Sequence, residues 1–173
     1  MSAGDRSPGS LQPVPLTREA FAPFGAVVEH AGEGRRHHVT EAFERSPEAA
    51  SPSLWISRLA TASRFPVTAR ILERHPYSAQ TFIPLSPLRS LIVVCHPDPR
   101  GAPDLSTLQA FLAGPGQGVS YARNVWHHCL TVFDAPAQFA VIMSLTGRGD
   151  DDIFLDLEQP VVIEAPQAWR TDP

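Results

Sequence analysis

Short apolar runs broken by Pro, Gly and Asp recur from Ser53 onward. They predict strands over 54–59, 80–85, 90–96, 107–113, 118–121, 127–133, 138–144, 153–157 and 161–163. No stretch of helical period separates them, which argues for an antiparallel sandwich or barrel and against βαβ units. The 18 prolines fit strand ends and turns better than helix interiors. Upstream, Thr17 has N-cap chemistry and Gly25 is a natural helix stop, so residues 17–25 predict a short helix, followed by a strand over 26–29. Residues 30–52 are polar, charged and almost free of aliphatic side chains, and read as a long loop covering a pocket. The Ser-, Gly- and Pro-rich residues 1–12 read as a disordered tail, residues 13–165 as one domain, and residues 166–173 as a C-terminal tail.

Composition narrows the function. A chain of 173 residues with 43% hydrophobic content can bury one core without disulfides. The net charge of -4, with scattered basic residues, offers no electrostatic footprint for nucleic acid or anionic lipid. There is no apolar run of membrane-spanning length and no signal-peptide pattern at the start, so the expected location is cytoplasmic. Cys95 and Cys129 lie in apolar runs and read as buried small hydrophobes; a disulfide or a Cys129 nucleophile beside His128 are the alternatives. All 14 basic residues are Arg. Schiff-base catalysis, a pyridoxal aldimine and the usual P-loop are thereby excluded, and a carboxylate or oxyanion must be held by Arg, backbone N–H, His or a metal.

Two segments carry chemistry. Glu73-Arg74-His75-Pro76-Tyr77-Ser78-Ala79-Gln80 has the H-x-H-x4-E spacing of the first cupin motif, with Glu73 for the first His and Gln80 for the acid. Ala122-Arg123-Asn124-Val125-Trp126-His127 overlays the second motif, P-x-G-x2-H, with Asn124 at the glycine position, where a left-handed turn is tolerated. Gln80 and His127 meet only if the sheet closes on itself, so the predicted fold is an all-β, cupin-type, jelly-roll-like antiparallel β-barrel with a short N-terminal helix.

The same residues resemble a known family. Glu73-Arg74-His75-Pro76 with Gln80-Thr81-Phe82-Ile83-Pro84, then Pro103-Asp104-Leu105-Ser106-Thr107-Leu108 and Tyr121-Ala122-Arg123-Asn124-Val125-Trp126-His127-His128, are similar to the ureidoglycolate lyase family over about residues 14–164. The resemblance implies a cupin homodimer that splits (S)-ureidoglycolate into glyoxylate and urea in allantoin breakdown, with a divalent metal such as nickel and no organic cofactor. It departs at residues 39–47, where an Asn, a Gly and a Tyr of the family's pattern are missing, and this bears on the substrate and not on the fold.

The expected catalytic residues are His75, His127 and Glu73, and a metal would be held by His75, Gln80 and His127. Arg74, Gln80, Tyr121, Arg123, Asn124 and Trp126 are expected to bind substrate, with an Arg on its carboxylate and Tyr121 and Trp126 as walls. Against these stand plainer readings: buried structural histidines, a Glu73 paired with Arg74, and surface arginines. His128 should face away from His127 by strand alternation. Two other functions remain open, a cupin enzyme acting on another small hydroxy acid and a cupin that binds a carboxylate without turnover.

Overall fold

The computed structural model describes residues 10–167; residues 1–9 and 168–173, and with them most of both expected tails, lie outside the described residues. Two sheets face each other. One has the order β1 (Val14–Pro15), β7 (Gln109–Ala113), β6 (Ser90–Cys95), β9 (Trp126–His127), β4 (Val67–Arg74), β12 (Ile153–Ile163), with β10 (Thr131–Val132) also on β6. The other has the order β2 (Gly25–Val28), β8 (Gly118–Tyr121), β5 (Gln80–Pro84), β11 (Ala137–Leu145), β3 (Ser51–Leu59). Their inner faces share one core containing Phe24, Val94, Phe111, Val119, Phe139 and Val141. The all-β, cupin-like fold is therefore as the pattern predicted. Closure comes from packing of the two sheets, with no strand pairing between them among the described residues, and β1 runs parallel to β7.

Departures from the predicted elements have local causes. Leu11 is already held, donating to Val162 O at 2.8 Å and accepting from Glu164 N at 2.9 Å. The helix is a single turn, α1 (Arg18–Phe21), capped by Thr17 Oγ1, which accepts from Ala20 N–H at 3.2 Å. Gly25 does not end it but starts β2: at φ 148° a Cβ there would sit 1.9 Å from Ser120 O, so only glycine lets β2 pair with β8. The strand expected over 127–133 is two pieces, because the register slips between His127↔Val94 and Thr131↔Leu91. Conversely the runs at 153–157 and 161–163 belong to one bulged strand, β12.

β4 had no counterpart in the predicted set. Its Arg70 and Ile71 are consecutive exposed residues, so the alternation that marks a strand breaks in the middle. Leu72 faces the opposite side and packs with Cys95 and Trp126 in a second apolar cluster on the outer face of the larger sheet. The loop over 30–52 is pinned by a 3-10 turn (Thr40–Phe43) with Ala42 buried, by Ser46 N–H to Tyr77 O at 2.7 Å and by Ala79 N–H to Glu44 O at 2.8 Å. It thus lies against the segment that links His75 to Gln80. No helix of the described residues is long and apolar enough to cross a membrane.

Asp134 ties the turn before β11 to the start of β6. It accepts from the Arg89 backbone N–H at 2.8 Å and from the guanidinium at 2.9 and 2.7 Å, which hold its pKa down at about 2. A lowered folded-state pKa stabilises above the unfolded value of 3.8 and is lost as pH falls toward 2. With both side chains half exposed, Asp134→Asn should cost no more than about 1 kcal/mol at pH 7. Urea titrations should show that difference shrinking as the pH is lowered below 4.

Candidate functional site

Alternation along β4 and β9 sets the site. Glu73 pairs with His127, and His127 with Val94, whose side chain lies in the inner core, so Glu73 and His127 both face inward. His75 follows β4 on the same side, its ring centroid 5.1 Å from that of His127. Four hydrogen bonds clamp the two segments together: Asn124 N–H to His75 O at 3.0 Å, the Arg123 guanidinium to Pro76 O at 3.0 and 3.1 Å, and Arg74 to Asn124 Oδ1 at 2.7 Å. Asn124 holds φ 66°, the left-handed turn anticipated at that position.

Both imidazoles have one committed nitrogen. His127 Nδ1 lies 3.1 Å from Val125 O, a pure acceptor, so Nδ1 carries the proton. His75 Nδ1 lies 2.9 Å from Asp152 Oδ1 and 3.3 Å from Asp151 O, which fixes the same tautomer. Each Nε2 is left as a buried lone pair without a hydrogen-bond partner. His127 Nε2 is 3.3 Å from Glu73 Oε1, but off the line that a hydrogen bond requires.

Electrostatics separates the roles. Burial lowers the pKa of His127, assisted by the charge of His75 and opposed by Glu73, so the ring is neutral near pH 7. For Glu73 burial works upward, but the neighbouring imidazoles of His127 and His75 outweigh it, so the carboxyl pKa lies below its ordinary value and the group is ionised. Asp152 is lowered chiefly by its bond to His75. Tyr121 stacks on His127 at 4.1 Å and 13°; burial pushes its phenol pKa far up, so it is a neutral wall.

Glu73, His75 and His127 offer ligand atoms within 4.8 Å of one another. Two unpartnered imidazole nitrogens beside an anionic oxygen suit a divalent metal of the nickel, zinc, manganese or iron type. Gln80 sits on the inner face opposite Tyr121 and Met143; its amide N–H donates to Met143 Sδ at 3.8 Å and its Oε1 is buried without a partner. Glu73 is the acidic donor gathered with the two histidines.

Several expected site residues lie elsewhere. Trp126 faces the outer cluster, donating to Gly101 O at 3.1 Å, and Arg74 lies 5.2 Å over its ring. Neither lines a pocket with the histidines, because each neighbours an inward residue on its strand. Arg123 and Asn124 are spent on the clamp. His128 does not face away: β9 ends at His127, and His128 turns to line a cavity of about 280 Å³ together with Thr68, Arg70, Ile71, Glu73, Cys129 and Phe154. Cys129 is exposed there and not buried, its thiol pKa raised by partial burial and by Glu73, which disfavours a thiolate. Cys95 is buried as expected, its pKa pushed up to about 12 by burial. Asp152, the partner of His75, was missed; it stands in the acidic run of Asp150, Asp151 and Asp152, which no motif spacing singled out.

A family model described as Ureidoglycolate lyase matches residues 8–164. A protein of Agrobacterium fabrum named putative ureidoglycolate lyase is 42% identical over 150 residues, covering 87% of this chain and 92% of its own. Ureidoglycolate lyases of Mesorhizobium japonicum and Azotobacter vinelandii are 38% and 36% identical, covering 79% and 88% of this chain and 85% and 96% of theirs.

Partners that orient a ligating imidazole carry much of a site's affinity. Asp152→Asn should weaken Ni²⁺ or Co²⁺ binding by about 10- to 100-fold in calorimetric titration, with an unchanged far-UV spectrum. Equal affinity in the variant would assign the orientation of His75 to Asp151 O alone.

Proposed function

The chain belongs to the ureidoglycolate lyase family and is a lyase, and from that premise we propose that it cleaves (S)-ureidoglycolate to glyoxylate and urea, with Glu73, His75 and His127 as the catalytic group. The observation that carries this reading is an ionised carboxylate beside two buried imidazoles whose Nε2 atoms have no hydrogen-bond partner, with Glu73 reaching the adjoining cavity.

The central carbon of ureidoglycolate bears a hydroxyl, a carboxylate and a ureido nitrogen. Removing the hydroxyl proton forms the aldehyde C=O, breaks the C–N bond and leaves the electron pair on nitrogen. That nitrogen must then gain a proton to depart as urea. The net change is one proton moved from oxygen to nitrogen, so a single base that returns what it takes is sufficient. Glu73 is ionised and is the member of the cluster that the cavity reaches, which suits it to that task. His127 and His75 set the carboxylate's position and charge, and Tyr121 shields their far side from water. A divalent metal held by Glu73, His75 and His127 would polarise the substrate's oxygens and lower the hydroxyl pKa. The altered loop, residues 39–47, contacts Tyr77 and Ala79 and contributes nothing to the cavity wall, which supports retaining the family's substrate.

Two finer readings accompany this. The family resemblance favours a role in cytoplasmic allantoin breakdown. A homodimer is favoured by the apolar edge strand β3, where Leu54 and Ile56 are 66% and 54% exposed.

Purified protein should release urea and glyoxylate in equal amounts from ureidoglycolate. Glu73→Gln and His127→Ala should each lower kcat by at least about 100-fold while remaining folded. A folded wild-type protein with no turnover, with or without added divalent metal, would sink the lyase reading in favour of carboxylate binding. Light scattering should give twice the 18.8 kDa chain mass, and Ile56→Lys should shift it toward the monomer.

A further inference from the structure

An α-hydroxy acid carries a carboxylate, so a cation in the cavity beside Glu73 would receive and orient it. Arg74 and Arg123, the candidates suggested by the motifs, are committed to Asn124 and to Pro76 O. The cavity beside Glu73 holds a different one. Its walls are Thr68, Arg70, Ile71, Glu73, His128, Cys129 and Phe154, and its volume of about 280 Å³ is at the small end for ligand sites, in keeping with a substrate of few atoms.

The break in β4 puts Arg70 there. Val67, Ala69 and Leu72 are buried in the outer clusters, whereas Thr68, Arg70, Ile71 and Glu73 line the cavity. Strict alternation would place Arg70 with Leu72. The irregularity in β4 pairing, where β12 shifts register between Asp156 and Val161, brings it to the side of Glu73 instead. The Arg70 side chain makes no hydrogen bond or ion pair to any described residue, so its five guanidinium N–H donors are available. His128 Nδ1 lies 3.2 Å from Ile71 O, tying the opposite wall to the irregular segment.

We propose that Arg70 is a specificity-determining residue that receives the carboxylate of a small α-hydroxy acid in this cavity, with Thr68 supplying a hydroxyl donor, and so orients the carbinol carbon toward Glu73. The inference rests on the lyase reading for the identity of the acid, and on the cavity alone for the carboxylate. A guanidinium binds a carboxylate through two parallel hydrogen bonds, which fixes orientation as well as charge, and a neutral amide in its place removes both.

The test is steady-state kinetics of Arg70→Gln, Arg70→Lys and, as a surface control outside the cavity and off β3, Arg64→Gln. Arg70→Gln should raise KM for ureidoglycolate by about tenfold or more, with kcat changed by less than about threefold. Arg70→Lys should recover part of the loss, and Arg64→Gln should match wild type. Because Arg70 is exposed and has no internal partner, the thermal midpoint should not move. An unchanged KM in Arg70→Gln overturns the proposal. If the wild-type protein does not turn over ureidoglycolate, the lyase reading has failed by itself, and calorimetry with glycolate decides the site: binding to wild type that Arg70→Gln abolishes supports it, and equal or absent binding in both overturns it.

Discussion

One register position, Glu73 against His127, is all that joins β4 to β9, and the functional centre depends on it. A single pair of strand residues is a weak constraint, since isolated pairings exchange readily with water. Its stability comes from the adjoining clamp, in which Asn124 N–H, Arg123 and Arg74 bind across the two segments. Two of those donors are guanidiniums, whose planar, permanently charged groups make stronger hydrogen bonds than neutral donors. In a chain without lysine, arginine takes this structural task as well as any substrate contact.

The clamp holds the centre in an arrangement that leaves several buried polar atoms without a protein partner. Two buried Nε2 atoms and the Gln80 Oε1 have no partner, and each such group costs on the order of 1–3 kcal/mol. A carboxylate is kept ionised beside them although burial opposes its charge. The surrounding structure supports this concentration of unmet bonding capacity through ordinary means: the Phe-rich inner core, the outer cluster around Trp126 and a loop pinned to Tyr77 and Ala79. What the centre lacks in internal partners it can make with a metal or with the substrate's oxygens.

Access arises from irregularity in the larger sheet. β9 stops after His127, the register slips before β10, and β4 is irregular at Arg70 and Ile71. A regular sheet would have sealed that side with paired backbone. Instead His128 and Cys129 turn out of line, and a cavity opens whose wall includes Glu73. Barrel enzymes often place such faults next to their chemistry, because a fault re-aims side chains without disturbing the core.

The sequence by itself determined the strand-rich architecture, most strand positions, the two motif segments and the left-handed turn at Asn124, because apolar alternation, turn residues and spacing are local properties. It also placed His75, His127 and Glu73 in one group. Strand alternation, read consistently, would further have turned Arg74 and Trp126 away from their inward neighbours. Tertiary structure alone decided the rest. β4 was illegible because Arg70 and Ile71 break its period, and the break makes sense only against β12. Asp152 meets His75 from 77 positions away in the chain, on a segment with no spacing rule. Which arginines are spent and which is free depends on where Pro76 O and Asn124 Oδ1 arrive in space, and no pattern along the chain encodes that meeting.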